Sequence, residues 1–340
     1  MAYDTRDRDG RLPALTASTP AAMIDAITAA LERLGLGPVC GVTLLTGGAS
    51  METWAFAAGG APLILRRRGA VEEAHPARKP PLALEAEVIA AAAAHGVPAP
   101  KVVRVCTPED GLGEAYVMRR VAGETLGKRI ATDPAFAPAR AVLARQCGAA
   151  LARIHATPPP AGLATLDARA TLASYEESWR ASGAVRPAIE AAFRWLDRRL
   201  PEVAAHTLVH GDFRNGNLMV SPETGLVAVL DWELAHIGDA AEDLGWICTN
   251  SWRFGQTARR VGGFGDLADL LAGYEEAGGT PISPARIDAW QLLGSLKWGV
   301  MTTIMHARWA NDPAAGPERA VIGRRLSECE ADVVALMERA

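Results

Sequence analysis

Leu208-Val209-His210-Gly211-Asp212-Phe213-Arg214-Asn215-Gly216-Asn217-Leu218-Met219-Val220 is an apolar run, a polar turn and a second apolar run. Short apolar stretches bounded by Gly, Asp and Asn predict two buried strands joined by a tight connection. Taken singly, Asp212 and Asn217 are ordinary turn residues, because Asp and Asn favour turns whatever a protein does. A third residue changes the weighting. After the apolar run from Leu226 to Leu230, Asp231-Trp232-Glu233 sets a carboxylate at another strand end. One group able to take a proton and two hard oxygen ligands then converge between strands, which is what transfer of a phosphoryl group to a hydroxyl requires.

Asp212 and Asn217 have the spacing of a kinase catalytic loop, in which an Asp receives the substrate hydroxyl proton and an Asn five residues on binds metal; Gly211 stands where that loop has Arg. His-Gly-Asp-x4-Asn together with Asp-Trp-Glu resembles the aminoglycoside phosphotransferase-like kinases, relatives of choline and homoserine kinases. The resemblance extends through His236-Ile237-Gly238-Asp239-Ala240-Ala241-Glu242-Asp243-Leu244, where Asp239 is placed to cap a helix. It implies an α+β, bilobal protein-kinase-like fold, with an N-terminal antiparallel sheet lobe and a larger, mainly helical C-terminal lobe. It also implies Asp212 as catalytic base, Asn217 and Asp231 as ligands of Mg2+, and ATP as donor with GTP as an alternative.

Outward from this segment, the N-terminal part reads as a helix from Ala21 to Leu34 followed by strands Val42 to Leu45, Thr53 to Ala57 and Leu63 to Arg68. A helix from Leu82 to His95 ends at Gly96, and strands Val102 to Cys106 and Ala115 to Val121 follow. Strand signals fade beyond Gly123, which divides the chain into residues 1–121, with a hinge at their end, and residues 122–340. Gly47, Gly48 and Ser50, between the first two strands, have the flexibility to bring backbone N–H groups close to phosphates. In the resembling family a strand Lys pairs with a helix Glu to orient ATP. Arg66 and Glu85 occupy those places, with Glu87 second to Glu85, and Arg66 departs from the usual Lys. Met118 lies in the segment that resembles the family's adenine-binding connection. His210 and His155 are read as structural supports.

Past the boundary, helical patterns cover Ala139 to His155, Thr171 to Ala181 and Pro187 to Leu200. His206 and His210 are four residues apart, but on a strand they are spread by about 13 Å at roughly 3.3 Å per residue, too far to share an ion. The 35 basic and 39 acidic residues leave a net charge of -4, with no global attraction to nucleic acid or to an anionic membrane. The first residues lack a signal-peptide apolar run, and no stretch approaches the roughly 20 apolar residues of a membrane span, so a cytoplasmic location is expected. Five scattered cysteines without a CxxC pair argue against a zinc site and a disulfide framework.

The acceptor pocket is expected from residues 165–200 and the C-terminal helices. Trp246, Trp252, Trp290, Trp298 and Trp309 cluster there, and Trp252 to Gly255 with Val261 to Gly265 suggests a flexible wall. Mixed charge and abundant Trp and Arg do not suit a polyammonium antibiotic. The segments Trp252-Arg253-Phe254-Gly255 and Gly262-Gly263-Phe264-Gly265 resemble instead a metabolic branch that includes kinase domains fused to acyl-CoA dehydrogenases, which implies a small-molecule hydroxyl substrate with a hydroxyacyl-CoA as a candidate. Two other functions compete with this one. A nucleotide-binding pseudokinase would accommodate Arg66, but the base and both metal ligands are all present. A protein kinase would show GxGxxG, Asp-Phe-Gly and Ala-Pro-Glu, which are missing.

Overall fold

The computed structural model describes residues 20–47, 51–69, 79–200, 206–312 and 316–339. Helix α1 (Pro20–Arg33) starts with proline at its first position, where a missing N–H costs nothing, and leads into β1 (Val39–Gly47). Strands β2 (Met51–Ala58) and β3 (Ala61–Arg68), helix α2 (Leu82–Ala94), and strands β4 (Val102–Val105) and β5 (Ala115–Arg119) complete the N-terminal part. The five strands form one antiparallel sheet in the order β1-β2-β3-β5-β4.

Strand alternation decides what each face of this sheet does. Leu63 and Leu65 of β3 pack with Ile27 and Leu31 of α1, and with Leu34 just past its end, against Trp54 and Phe56. Arg66, one step out of phase with Leu65, faces the opposite side, where α2 lies. Thus the hydrophobic pattern of one strand both builds a core and aims a cation at a helix.

The C-terminal part contains α3 (Gly127–Thr132), α4 (Ala137–Ala156), α5 (Ala168–Ser182) and α6 (Pro187–Arg199). Four short strands follow, β6 (Thr207–Val209), β7 (Leu218–Ser221), β8 (Gly225–Val229) and β9 (His236–Gly238). β6 pairs with β9 and β7 with β8, both antiparallel. The chain then continues through α7 (Ala240–Ile247), α8 (Leu267–Glu276), α9 (Pro284–Asn311), α10 (Pro317–Gly323) and α11 (Leu326–Arg339).

The largest core joins Leu143, Cys147, Leu151 and Ile154 of α4 to Leu208, Leu218 and Val229 of the short strands and to Phe213 between β6 and β7. A second core packs α5, α6, α9 and α11 through Trp179, Phe193, Leu296 and Val333. α4 and α8 approach so closely that a Cβ on Gly148 would collide with the Leu270 carbonyl, and one on Gly273 with the Arg145 carbonyl.

One element was not expected and one expectation changes. His236–Gly238 forms a strand, although Ile237 is its only strand-favouring residue and so short a piece carries no signal of its own. The segment from Val261 to Gly265 is no flexible wall: it is a buried turn closed by a Val261–Gly265 bridge, with Gly265 against Ala144 of α4.

Candidate active site

The loop between β6 and β7 is held from below by α7. Asp239, the N-cap of α7, accepts the Ala241 N–H at 3.0 Å, as its position in the sequence predicts. One turn into that helix, Asp243 is fully buried and accepts the backbone N–H groups of His210 (2.8 Å) and Gly211 (3.0 Å). His155 meets the same carboxylate through Nε2 at 3.2 Å, and its Nδ1 contacts the Tyr274 hydroxyl at 2.9 Å. Gly211 has φ of 79°, and a Cβ there would strike the Leu234 carbonyl, which explains why Gly replaces the usual Arg.

His210 is completely buried, and burial lowers its pKa despite the pull of Asp243 and Asp212 in the other direction. As a neutral ring its Nδ1 accepts the Asp212 N–H (3.2 Å), which leaves Nε2–H to donate to the Leu230 carbonyl (3.1 Å). The histidine therefore ties the Asp212 turn to the end of β8, beside Asp231.

Asp212 presents its carboxylate to three donors: Trp246 Nε1 reaches Oδ1 at 2.7 Å, Arg214 Nε reaches Oδ1 at 3.0 Å, and Asn217 Nδ2 reaches Oδ2 at 2.6 Å. Asn217 spends its amide N–H groups on Asp212, and among the described residues nothing donates to its Oδ1. Asp231 follows β8 in a left-handed conformation (φ 63°), which Asp tolerates better than most residues. A free amide oxygen and a partly exposed carboxylate are the hard donors that magnesium prefers, with phosphate and water completing its shell, so these residues fit that ion.

Arg66 crosses from the sheet to this site. Its Nη2 lies 2.6 Å from Asp231 Oδ1 and 3.1 Å from Glu233 Oε2, while its Nε lies 3.2 Å from Glu85 Oε1. Burial works against its charge, but Glu85 and Asp231 outweigh that and hold the guanidinium protonated. Burial pushes Glu85 up to about 7 against the opposing pull of Arg66, and the Tyr116 hydroxyl donates to Glu85 Oε1 at 2.9 Å. Glu87, the second choice for this pairing, is exposed. Lys79 joins the cluster through Glu233 Oε1 at 2.9 Å.

The remaining nucleotide-site expectations are placed less fully. Gly47 ends β1 opposite Glu52, whereas Gly48 and Ser50 lie outside the described residues. Met118 sits within β5, paired with Ile64 and Val102, and is half-buried against the core. The amides of Arg119 and Arg120 already donate to the carbonyls of Lys101 (2.8 Å) and Pro62 (3.1 Å).

A cavity of about 630 Å³ opens in front of Asp212 and Asp231, walled by α5, α7 and α9. Trp246, Trp252 and Trp298 line it. Trp290 does not: it is buried and donates to Asp239 Oδ2 at 2.8 Å, and Trp309 stacks near His306 instead. Sequence reading missed several residues here. Lys79, Tyr116 and Lys297 were given no role, Glu233 stood in the Asp-Trp-Glu motif and Asp243 in the segment after it without one, and Trp246, expected in the pocket, was not expected to bond Asp212.

The phosphotransferase enzyme family matches residues 41–281. The chain belongs to that family. Among solved phosphotransferase-like structures, a candidate aminoglycoside phosphotransferase from Ralstonia eutropha superposes with a TM-score of 0.68 at 22% identity, over 93% of this chain and 98% of the other. A choline/ethanolamine kinase family protein from Mesorhizobium loti gives 0.61 at 22% identity, over 91% and 94%. At these identities the likeness establishes the bilobal kinase-like fold. In sequence the chain is 30% identical over 174 residues to acyl-CoA dehydrogenase family member 10 of Mus musculus, covering 48% of this chain and 16% of that one. It is 27% identical over 257 residues to probable acyl-CoA dehydrogenase IBR3 of Arabidopsis thaliana, covering 66% and 30%. The chain thus spans less than a third of these relatives' own length. As a member of the phosphotransferase family it is a kinase-type enzyme in class. Among the described residues no helix is long and apolar enough to cross a membrane.

Proposed function

We propose that this protein transfers the γ-phosphoryl group of ATP, with GTP as an alternative donor, to the hydroxyl of a small molecule. The observation that carries the reading is the convergence of Asp212 and Asp231 on one cavity, with Asn217 bonded to the first and the Arg66–Glu85 pair reaching the second. Asp212 receives the alcohol proton as the alcohol oxygen attacks the γ-phosphorus and ADP leaves. Trp246, Arg214 and Asn217 fix the orientation of that carboxylate. Asn217 and Asp231 are the residues that would hold Mg2+, which neutralises phosphate charge when bound. Arg66, anchored by Glu85 and Tyr116, supplies a fixed cation for the phosphates, with the fork geometry of Arg in place of the point charge of Lys.

The acyl-CoA dehydrogenase relatives favour a hydroxyacyl thioester as acceptor, and the lining of the cavity by three Trp rings suits an apolar chain. The pseudokinase alternative rests on Arg66 alone and is disfavoured by the complete set of base and metal-ligand candidates. The test is ATP consumption with magnesium across amino alcohols, sugars, aminoglycosides and hydroxyacyl-CoA thioesters. Asp212→Asn is expected to lower turnover by about 10²–10⁴-fold, the usual worth of a general base, while nucleotide binding persists. Undiminished turnover in that variant removes Asp212 from the reaction.

A further inference from the structure

α9 brings Lys297 to the cavity wall, where its Nζ lies 3.2 Å from Glu242 Oε1. The other oxygen of Glu242 is 3.2 Å from His236 Nε2, so one carboxylate serves two bases. Burial alone would raise the Glu242 pKa, yet Lys297 and His236 hold it down at about 2, and Glu242 in return raises both bases against their burial. With His236 protonated, this group of three carries one positive charge more than it neutralises. Among the described residues Glu242 is the only oxygen to which Lys297 donates, although an ammonium has three N–H bonds.

Trp252 and Trp298 line the same cavity with their rings; their Nε1 atoms have no partner among the described residues but are closed off from the cavity space. The acidic groups that could attract an amine are already engaged. Asp167 caps α5, Asp212 holds its three donors, and Asp231 and Glu233 face Arg66 and Lys79. The wall therefore offers donors and positive charge to an acceptor rich in oxygen.

Trp246 touches both Asp212 and Lys297. Its Nε1 donates to Asp212, while Lys297 Nζ lies 5.3 Å from its ring centroid. A hydroxyl at Asp212 and an oxygen at Lys297 are thus separated by the span of an indole, with Met301 and Met305 also lining the cavity. A single surplus charge matches a carboxylate or a polarised carbonyl better than a dianionic phosphate.

We propose that Lys297 is a specificity-determining residue that binds an acyl oxygen of the acceptor, carried by a carboxylate or a thioester. The assignment rests on the phosphotransfer reading of this site.

The experiment compares a short hydroxy acid, its CoA thioester, and the diol and amino alcohol of the same carbon skeleton. Each is assayed for ATP consumption and titrated calorimetrically against wild type, Lys297→Gln, Lys297→Arg and the double variant Lys297→Gln/Glu242→Gln. The double variant removes the ion pair whole, and His236, which burial drives to the neutral form once Glu242 is gone, is left without a charge to strand. Loss of a charge-assisted hydrogen bond is expected to raise KM and Kd for the acyl compound by about 10- to 100-fold relative to the diol, and Lys297→Arg to recover part of this. Whichever of acid or thioester shows the Lys297 dependence identifies the source of the oxygen. A wild-type preference for the amino alcohol or diol, or an equal loss for all four compounds, overturns the assignment. Lys297-dependent binding of the acyl compound without turnover upholds the subsite and sinks the kinase reading. Turnover indifferent to Lys297 does the reverse.

Discussion

Asp243 shows how much of this site depends on a residue that faces away from the cavity. Its two oxygens take the amides of His210 and Gly211, so the path of the chain just before Asp212 is set by a carboxylate buried in α7. Asp243→Asn replaces one acceptor by a donor opposite an N–H; the expected cost is about 1–3 kcal/mol of stability, read by urea denaturation, with a lower kcat. Gly211→Ala meets both the left-handed backbone and the Leu234 carbonyl, and should lose more turnover than nucleotide affinity in steady-state assays. Asp212 and Asn217 were legible because one short loop compresses them into fixed spacing, and Asp231 because it closes the next apolar run. Asp243 and Trp246 were not legible in the same way, since their contacts with that loop span more than thirty positions and depend on the docking of α7.

At the scale of elements, Asp239 does more than cap α7. Its Oδ2 also receives Arg286 Nη2 at 2.7 Å and Trp290 Nε1 at 2.8 Å from α9, so a single side chain fixes the start of one helix against another. Asp239→Ala is expected to cost about 3–5 kcal/mol, the range for breaking a buried ion pair, seen as a lower denaturation midpoint. Gly148→Ala should likewise destabilise by about 1–3 kcal/mol, because a methyl group has no room between α4 and α8. Long helices and the strands of the N-terminal sheet were legible from periodicity and from proline and glycine stops. β9 was not, because His236-Ile237-Gly238 becomes a strand only through β6. The segment at Val261–Gly265 misled through its glycines: they serve close packing against α4 and Arg253, not mobility.

For the whole molecule, Arg66 is a side chain through which the N-terminal sheet grips Asp231 and Glu233 of the other half. A ligand that engages both halves should therefore stabilise the protein; Mg-ATP at a hundred times its Kd adds about 2.7 kcal/mol, measurable as a raised Tm that Asp231→Ala diminishes. The His236–Glu242–Lys297 group gives stability a pH dependence. Glu242 has a lowered pKa, so its contribution is present above about 4.5 and is lost as pH falls toward 2. His236 has a raised pKa, so its contribution is full below 6.5 and is lost as pH rises through the higher folded value. Thermal melts of His236→Gln should consequently differ most from wild type near pH 5–6 and less in alkali. The kinase-like plan was readable from one loop and one strand pattern, whereas the chemistry of the acceptor wall depended on which faces of α5, α7 and α9 turn inward. That wall has one more consequence. Trp246, Trp252 and Trp298 stand 5.2 and 4.9 Å apart in a row, with Lys297 and Arg214 against their faces and Asp212 bonded to the first. Rings this close share excitation, so an acceptor entering the cavity should alter the emission of all three, and the protein's own ultraviolet fluorescence becomes a label-free titration of its unknown substrate.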